Sequence, residues 1–185
     1  ALTAAQRGPA LQTGEIDVLI RNTTQTVSRD TSWGLFAPTT FYDGQAIMVP
    51  ASLGVTDAAG LAGATVCVQS GTTTELNLTD YFRTLGVEFT PQVFQDIDPT
   101  YQTYESGACD AVTSDRSQLA SRRTTMADPS AHNILPDVLS KEPLGPVVPL
   151  GDDQWFNVVK WVVFGLVQAE ESGITSANVA DQVTA

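Results

Sequence analysis

The sequence predicts an α/β fold, on three observations. Short β-branched strands alternate with helical stretches between residues 45 and 145; one of those strands turns straight into a helix through a glycine; and a proline-rich extended segment leads into a helical C-terminal part. With 185 residues, 42% of them hydrophobic, the chain is long enough for one or two small globular units with real cores. The sharpest junction lies at residues 64–78. Thr65 to Gln69 is β-branched and apolar enough for a short buried strand, and from Leu76 the pattern is helical. Gly71 permits the bend between them, and Thr72 with Glu75 three residues on reads as a capping box that opens the helix. Such a turn points free backbone N–H groups and threonine hydroxyls from the positive end of a helix dipole, which suits an anion. A P-loop or dinucleotide fingerprint needs further glycines or a lysine here, and neither is present, so a carboxylate fits better than a nucleotide phosphate.

The other elements follow in order. Residues 3 to 13 read as a helix stopped by Gly14, interrupted by Gly8-Pro9, where a first-turn proline is tolerated. Ile16 to Ile20 reads as a strand, and the polar loop Arg21 to Thr26 at its C-terminal edge lies where open α/β sheets place ligands, with Arg29 just beyond. Trp33 to Phe36 and Thr39 to Phe41 are short apolar pieces, Tyr42-Asp43-Gly44 a turn, Gln45 to Val49 a strand, and Thr56 to Leu61 a helical turn. Beyond the junction helix, Glu88 to Gln95 is an edge strand because it holds Pro91. Pro99 to Ser106 is a helix capped by Gly107, Asp110 to Thr113 a buried strand running out at Ser114-Asp115, and Ser117 to Thr125 a helix. Pro136 to Pro149 is extended and turn-rich, a stiff crossing between units. Asp152 and Asp153 then favour the first turn of a helix with an apolar face at Trp155, Phe156, Val159, Val162 and Val163, stopped by Gly173; a last helical stretch begins at Ser176.

Composition narrows the functions. A net charge of −12 argues against nucleic acid or an anionic membrane as partner. No stretch reaches the roughly 18 apolar residues of a membrane span; Trp155 to Val167 is broken by Asn157 and Lys160. The chain opens at Ala1 without an initiator Met or a signal region, which marks it as a processed product or, the reading favoured, a piece of something longer. Cys67 and Cys109 lack zinc-site spacing and His132 has no partner imidazole, so neither a metal nor a cofactor is expected. On residues alone, the cysteines are either a disulfide in an oxidising compartment or two small buried hydrophobes.

Three motifs in order carry a resemblance: Gly14 to Thr24 ahead of Arg29, Gly71 to Leu76 after a strand, and Gly107 to Asp115. Together they resemble the periplasmic amino-acid-binding proteins of ABC importers, extracellular solute-binding family 3. Cys67 to Phe82 and Leu139 to Ala169 are most similar to the general L-amino-acid-binding branch. The resemblance implies a type II Venus-flytrap fold with residues 1–43 as part of lobe 1, 44–145 as a complete lobe 2, and 146–185 as returning lobe 1 helices, both ends of the family pattern being absent.

It also implies a mechanism. Arg29 would hold a ligand α-carboxylate through a bidentate pair, helped by the N–H of Thr24 and by Gly71, Thr72 and Thr73 at the helix start. Asp115 would accept the α-ammonium, with a carbonyl or amide contact from Asn22 beside it. Ligand would bridge the lobes and favour closure, which a permease of the inner membrane recognises. A periplasmic location follows, and with it a Cys67–Cys109 disulfide between neighbouring strands. The complete protein is expected to act as a monomer on free L-amino acids and not as an enzyme. The alternatives are a ligand-sensing domain of a membrane receptor, or a dehydratase-like enzyme on the same fold, which would need a further cleft acid or base.

Overall fold

The computed structural model describes residues 2–183. In chain order its elements are α1 (Arg7–Gln12), α2 (Val27–Ser32), β1 (Leu35–Phe36), β2 (Phe41–Pro50), β3 (Thr65–Gln69), α3 (Thr73–Leu85), β4 (Thr90–Phe94), α4 (Ile97–Glu105), β5 (Ala111–Asp115), α5 (Arg116–Arg123), β6 (His132–Ile134), β7 (Ser140–Leu144), β8 (Val147–Val148), α6 (Asp153–Glu171) and α7 (Val179–Val183). Contacts divide the chain into two compact units: residues up to Pro9 with Phe41–Pro143, and Ala10–Thr40 with the residues from Leu144. The chain passes between them at Pro9–Ala10, Thr40–Phe41 and Pro143–Leu144.

The first unit is built on a mixed sheet in the order β4-β3-β5-β2-β6, with β7 also paired to β2. β3 runs parallel to β4 and β5, while β2 runs antiparallel to β5, from Gln45 opposite Asp115 to Met48 opposite Val112. The interior of β3 and all of β5 are buried, including the polar Thr113, Ser114 and Asp115, since helices cover both faces of the sheet. Along β2 the two-residue period sends Ile47 and Val49 to one face with Val66, Val68, Leu78 and Phe82, and Ala46 and Met48 to the other with Cys67, Tyr101, Tyr104 and Leu119. α3 thus covers one face and α4 and α5 the other. Proline-bearing β4 lies at the edge, where a missing ladder donor costs least. The Cys67–Cys109 disulfide, with a Cα–Cα distance of 5.8 Å, joins β3 to the turn before β5.

The second unit is smaller in structure. β1 and β8 form a two-residue antiparallel pair, Leu35 opposite Val148 and Phe36 opposite Val147. Gly34 makes this pairing possible, since a Cβ there would stand 2.0 Å from the Val148 carbonyl oxygen. Leu11, Leu19, Phe36 and Val147 form one apolar cluster; Ala37, Val148, Val159 and Val163 form another with Trp155 and Phe156. α6 starts where Asp152 accepts the Trp155 N–H at 2.8 Å.

The structure corrects four expectations. Ile16–Ile20 is not a strand: only Leu19 pairs, through a single bridge to Val147, because β8 offers just two residues. Tyr42-Asp43-Gly44 is not a turn but lies within β2, where Gly44 admits the neighbouring segment, its absent Cβ being 2.9 Å from Val138 Cγ1. Pro136–Pro149 is more than a crossing segment, since β7 and β8 inside it both pair. The capping box is modified: Thr72 Oγ1 accepts the Glu75 N–H at 3.1 Å, but Glu75 Oε2 takes the N–H of Gly71, at 2.9 Å, and not that of Thr72.

Candidate functional site

The predicted site residues fall into two sets, one in each unit. In the first unit, Gly71 adopts φ 71°, which a side chain would strain, and its absent Cβ lies 3.0 Å from that of Ala5. Thr72 is the N-cap of α3, and its hydroxyl also donates to the Gln69 carbonyl at 2.7 Å, locking the turn to the end of β3. A helix's first N–H groups have no carbonyl within the helix to meet, so the α3 start presents donors of partial positive charge. Asp115 ends β5, is 6% exposed, and stands at the N-cap position of α5 without capping it. β3 and β5 are parallel neighbours, so their C-terminal ends share one rim of the sheet. Thr72, Thr73 and Asp115 therefore occupy the edge at which open α/β sheets take ligands. On α4, burial pushes the Tyr101 phenol well above its ordinary range, and the Arg122 guanidinium, paired with Asp98 at 2.7 Å, lies 5.2 Å from its ring centre.

In the second unit, the loop after Leu19 leads into α2, which begins where Thr26 Oγ1 accepts the Arg29 N–H at 3.2 Å. Arg29 Nη1 donates to the Thr24 carbonyl at 3.0 Å, and its guanidinium lies 4.7 Å from the Trp33 ring centre. A guanidinium held by a carbonyl and stacked on an indole is pre-oriented, and its planar fork matches a carboxylate. Thr24 is buried and bridged to Leu144, whereas Asn22 is exposed on the same loop.

Sequence reasoning missed a buried polar network beside the first set. Glu142, on β7 and 1% exposed, accepts from the Thr73 hydroxyl and the Asn77 amide at 3.0 Å each, and from the Ser140 hydroxyl. Gln45, fully buried on β2, donates to the Thr74 carbonyl and the Thr113 hydroxyl, also at 3.0 Å. One signal was available. In the β7 alternation Glu142 shares parity with Leu144, which points it inward with an apolar neighbour.

No family model matches the chain. A general L-amino-acid-binding periplasmic protein of Rhizobium johnstonii is 54% identical over 177 residues, which are 95% of this chain and 52% of that protein. A glutamate/glutamine/aspartate/asparagine-binding protein of Rhodobacter capsulatus is 50% identical over 181 residues, 97% of this chain and 54% of that protein. The chain thus spans about half the length of the curated relatives it matches. Among solved structures, an ABC transporter periplasmic binding protein from Brucella ovis with glutathione bound superposes with a TM-score of 0.94 at 51% identity, covering 97% of this chain and 57% of that one. An ancestral arginine-binding protein bound to arginine superposes with a TM-score of 0.77 at 27% identity, covering 91% and 72%. The chain is a homologue of amino-acid-binding periplasmic proteins of ABC transporters, and its fold is theirs.

Proposed function

From this homology to amino-acid-binding periplasmic proteins, we propose that the chain is a ligand-binding part of a protein that captures free L-amino acids in the periplasm and delivers them to an ABC permease without chemical change. The observation that carries the proposal is the shared rim of the first unit, where two neighbouring parallel strands end in the capped start of α3 and in buried Asp115. An α-amino acid offers one carboxylate and one ammonium. Arg29, oriented by the Thr24 carbonyl and the Trp33 ring, takes the carboxylate as a charge-assisted fork. The N–H groups of Thr24, Thr72 and Thr73 add donors to it, and Asp115 takes the ammonium. Gly71 serves by shape, since its own N–H is held by Glu75. A ligand that binds one conformation better than another shifts the population toward it, which is how capture becomes a signal to a permease. Among the described residues no helix is long and apolar enough to cross a membrane.

The Brucella ovis relative has glutathione bound. The γ-glutamyl end of glutathione carries a free α-carboxylate and α-ammonium, so the same anchors accept it, and γ-glutamyl peptides form a second ligand class.

The test is a thermal-shift titration with the twenty L-amino acids and glutathione, run on this chain and on a version extended to the length of its relatives. Ligand at about 100 times its dissociation constant adds about 2.7 kcal/mol of stability. Shifts with several amino acids that vanish in Arg29→Ala are expected; silence from both versions would overturn the proposal.

A further inference from the structure

We infer that Glu142 is a positioning residue for ligand binding: its carboxylate ties the first turn of α3 to β7 and so fixes Thr73 relative to Asp115. The inference rests on the amino-acid-binding reading above. A fully buried carboxylate is costly unless its oxygens are satisfied, and here both are. Oε2 accepts from the Thr73 hydroxyl and Oε1 from Asn77 Nδ2, each at 3.0 Å, while the Ser140 hydroxyl also donates to Oε1. Thr73 and Asn77 are four residues apart on α3 and present one helical face. A single carboxylate therefore clamps the first turns of the helix, at the end where the dipole favours negative charge.

The clamp continues into the sheet. Ser140 Oγ lies 3.3 Å from Gln45 Oε1, and Gln45 Nε2 reaches both the Thr74 carbonyl and Thr113 Oγ1. Thr113 in turn donates to the Ala46 carbonyl at 2.7 Å and stands two residues before Asp115 on β5. Two polar ties thus hold the first turn of α3: Glu142 holds Thr73 to β7, and Gln45 joins Thr74 to Thr113 on the strand that carries Asp115. Glu142 sits on β7, the strand that leaves this unit at Pro143–Leu144. Because the Thr73 hydroxyl proton is committed to Glu142, the Thr73 contribution to a ligand comes from its backbone N–H, and Glu142 sets where that N–H points.

The substitutions separate this role from simple support of the fold. In Glu142→Gln the amide oxygen accepts from Asn77 and Ser140 while its NH₂ donates to Thr73 Oγ1, so the clamp survives with one bond reversed. Glu142→Asp keeps the charge but draws the carboxylate back by one methylene and cannot reach Thr73. The experiment measures the dissociation constant for the amino acid giving the largest thermal shift, and amide exchange at Glu75 to Leu78, in the wild type, E142A, E142D, E142Q, T73V and E142A/T73V. The loss of one hydrogen bond to a charged group predicts binding weakened about tenfold or more in E142A and E142D. E142Q should bind within about threefold of wild type, and E142A/T73V should be no weaker than the worse single variant, as expected for residues acting as one unit. Unchanged affinity in E142D, or multiplying losses in the double variant, would overturn the inference. Should the wild type bind no amino acid, the functional proposal fails and exchange alone decides this one: faster exchange at Glu75 to Leu78 in E142D, restored in E142Q, upholds the clamp, and equal exchange removes it.

Discussion

The two units close their cores differently. In the first, both faces of the sheet are covered by helices of the same unit, and Phe82, Ile47, Met48 and Val68 are fully buried. In the second, one small cluster, Ala37 and Val148 with Val159 and Val163, covers only one side of α6, while Trp161, Val162, Phe164 and Leu166 stay between 43% and 66% exposed. The exposed stripe is apolar, and a monomeric soluble surface rarely leaves such a patch uncovered. A helix can therefore be well capped and amphipathic by local rules and still lack a partner for half its apolar surface. The first unit holds the buried polar network; the second is held by the β1–β8 pair, the packing of α6 and the Leu19 and Thr24 bridges.

One substitution made in both units breaks the comparison most sharply. Phe82→Ala removes a fully buried ring stacked 4.5 Å from Phe89 and should cost about 4 kcal/mol, whereas Phe164→Ala, 43% exposed, should cost less than about 1 kcal/mol by denaturant midpoint. Similar costs at the two positions would mean that α6 is covered in solution. Next in size is the disulfide. Its cysteines are 42 residues apart, and opening a loop of that length should destabilise the first unit by about 3–4 kcal/mol. Hydrogen exchange under reducing conditions should show protection falling in β3 and β5 and unchanged in α6. Smallest is the cap: Thr72→Ala should cost about 1 kcal/mol and Thr72→Ser much less, with the lost protection confined to the start of α3.

What was legible in the sequence was what local chemistry decides. Gly71 and Thr72 mark the α3 start because a positive φ and a cap hydroxyl leave a signature within four residues, while Asp152, expected in the first turn of α6, stands one place earlier as its N-cap. The cysteine pair was legible only through family resemblance, and the structure joins it. What was not legible depends on partners far along the chain. Ile16–Ile20 has strand composition but meets only a two-residue β8, and Tyr42 to Gly44 has turn composition but lies within β2, whose partners β5, β6 and β7 come much later in the chain. Of the candidate residues, Thr72, Thr73 and Asp115 reach one rim, and Thr24 is bonded to Arg29. Glu142 and Gln45 escaped notice because a buried carboxylate or amide is recognised by its donors and acceptors, and theirs lie as many as 95 residues away.

The central claim is that both charged ends of an α-amino acid are read at once, and calorimetric titration with L-glutamine and two analogues tests it most directly. Glutaramate lacks the α-ammonium and γ-aminobutyramide lacks the α-carboxylate. Loss of a charge-assisted partner that leaves Asp115 or Arg29 unanswered should weaken binding by about a hundredfold or more in either case. An analogue that binds as tightly as L-glutamine would contradict the account and remove the matching anchor from the site.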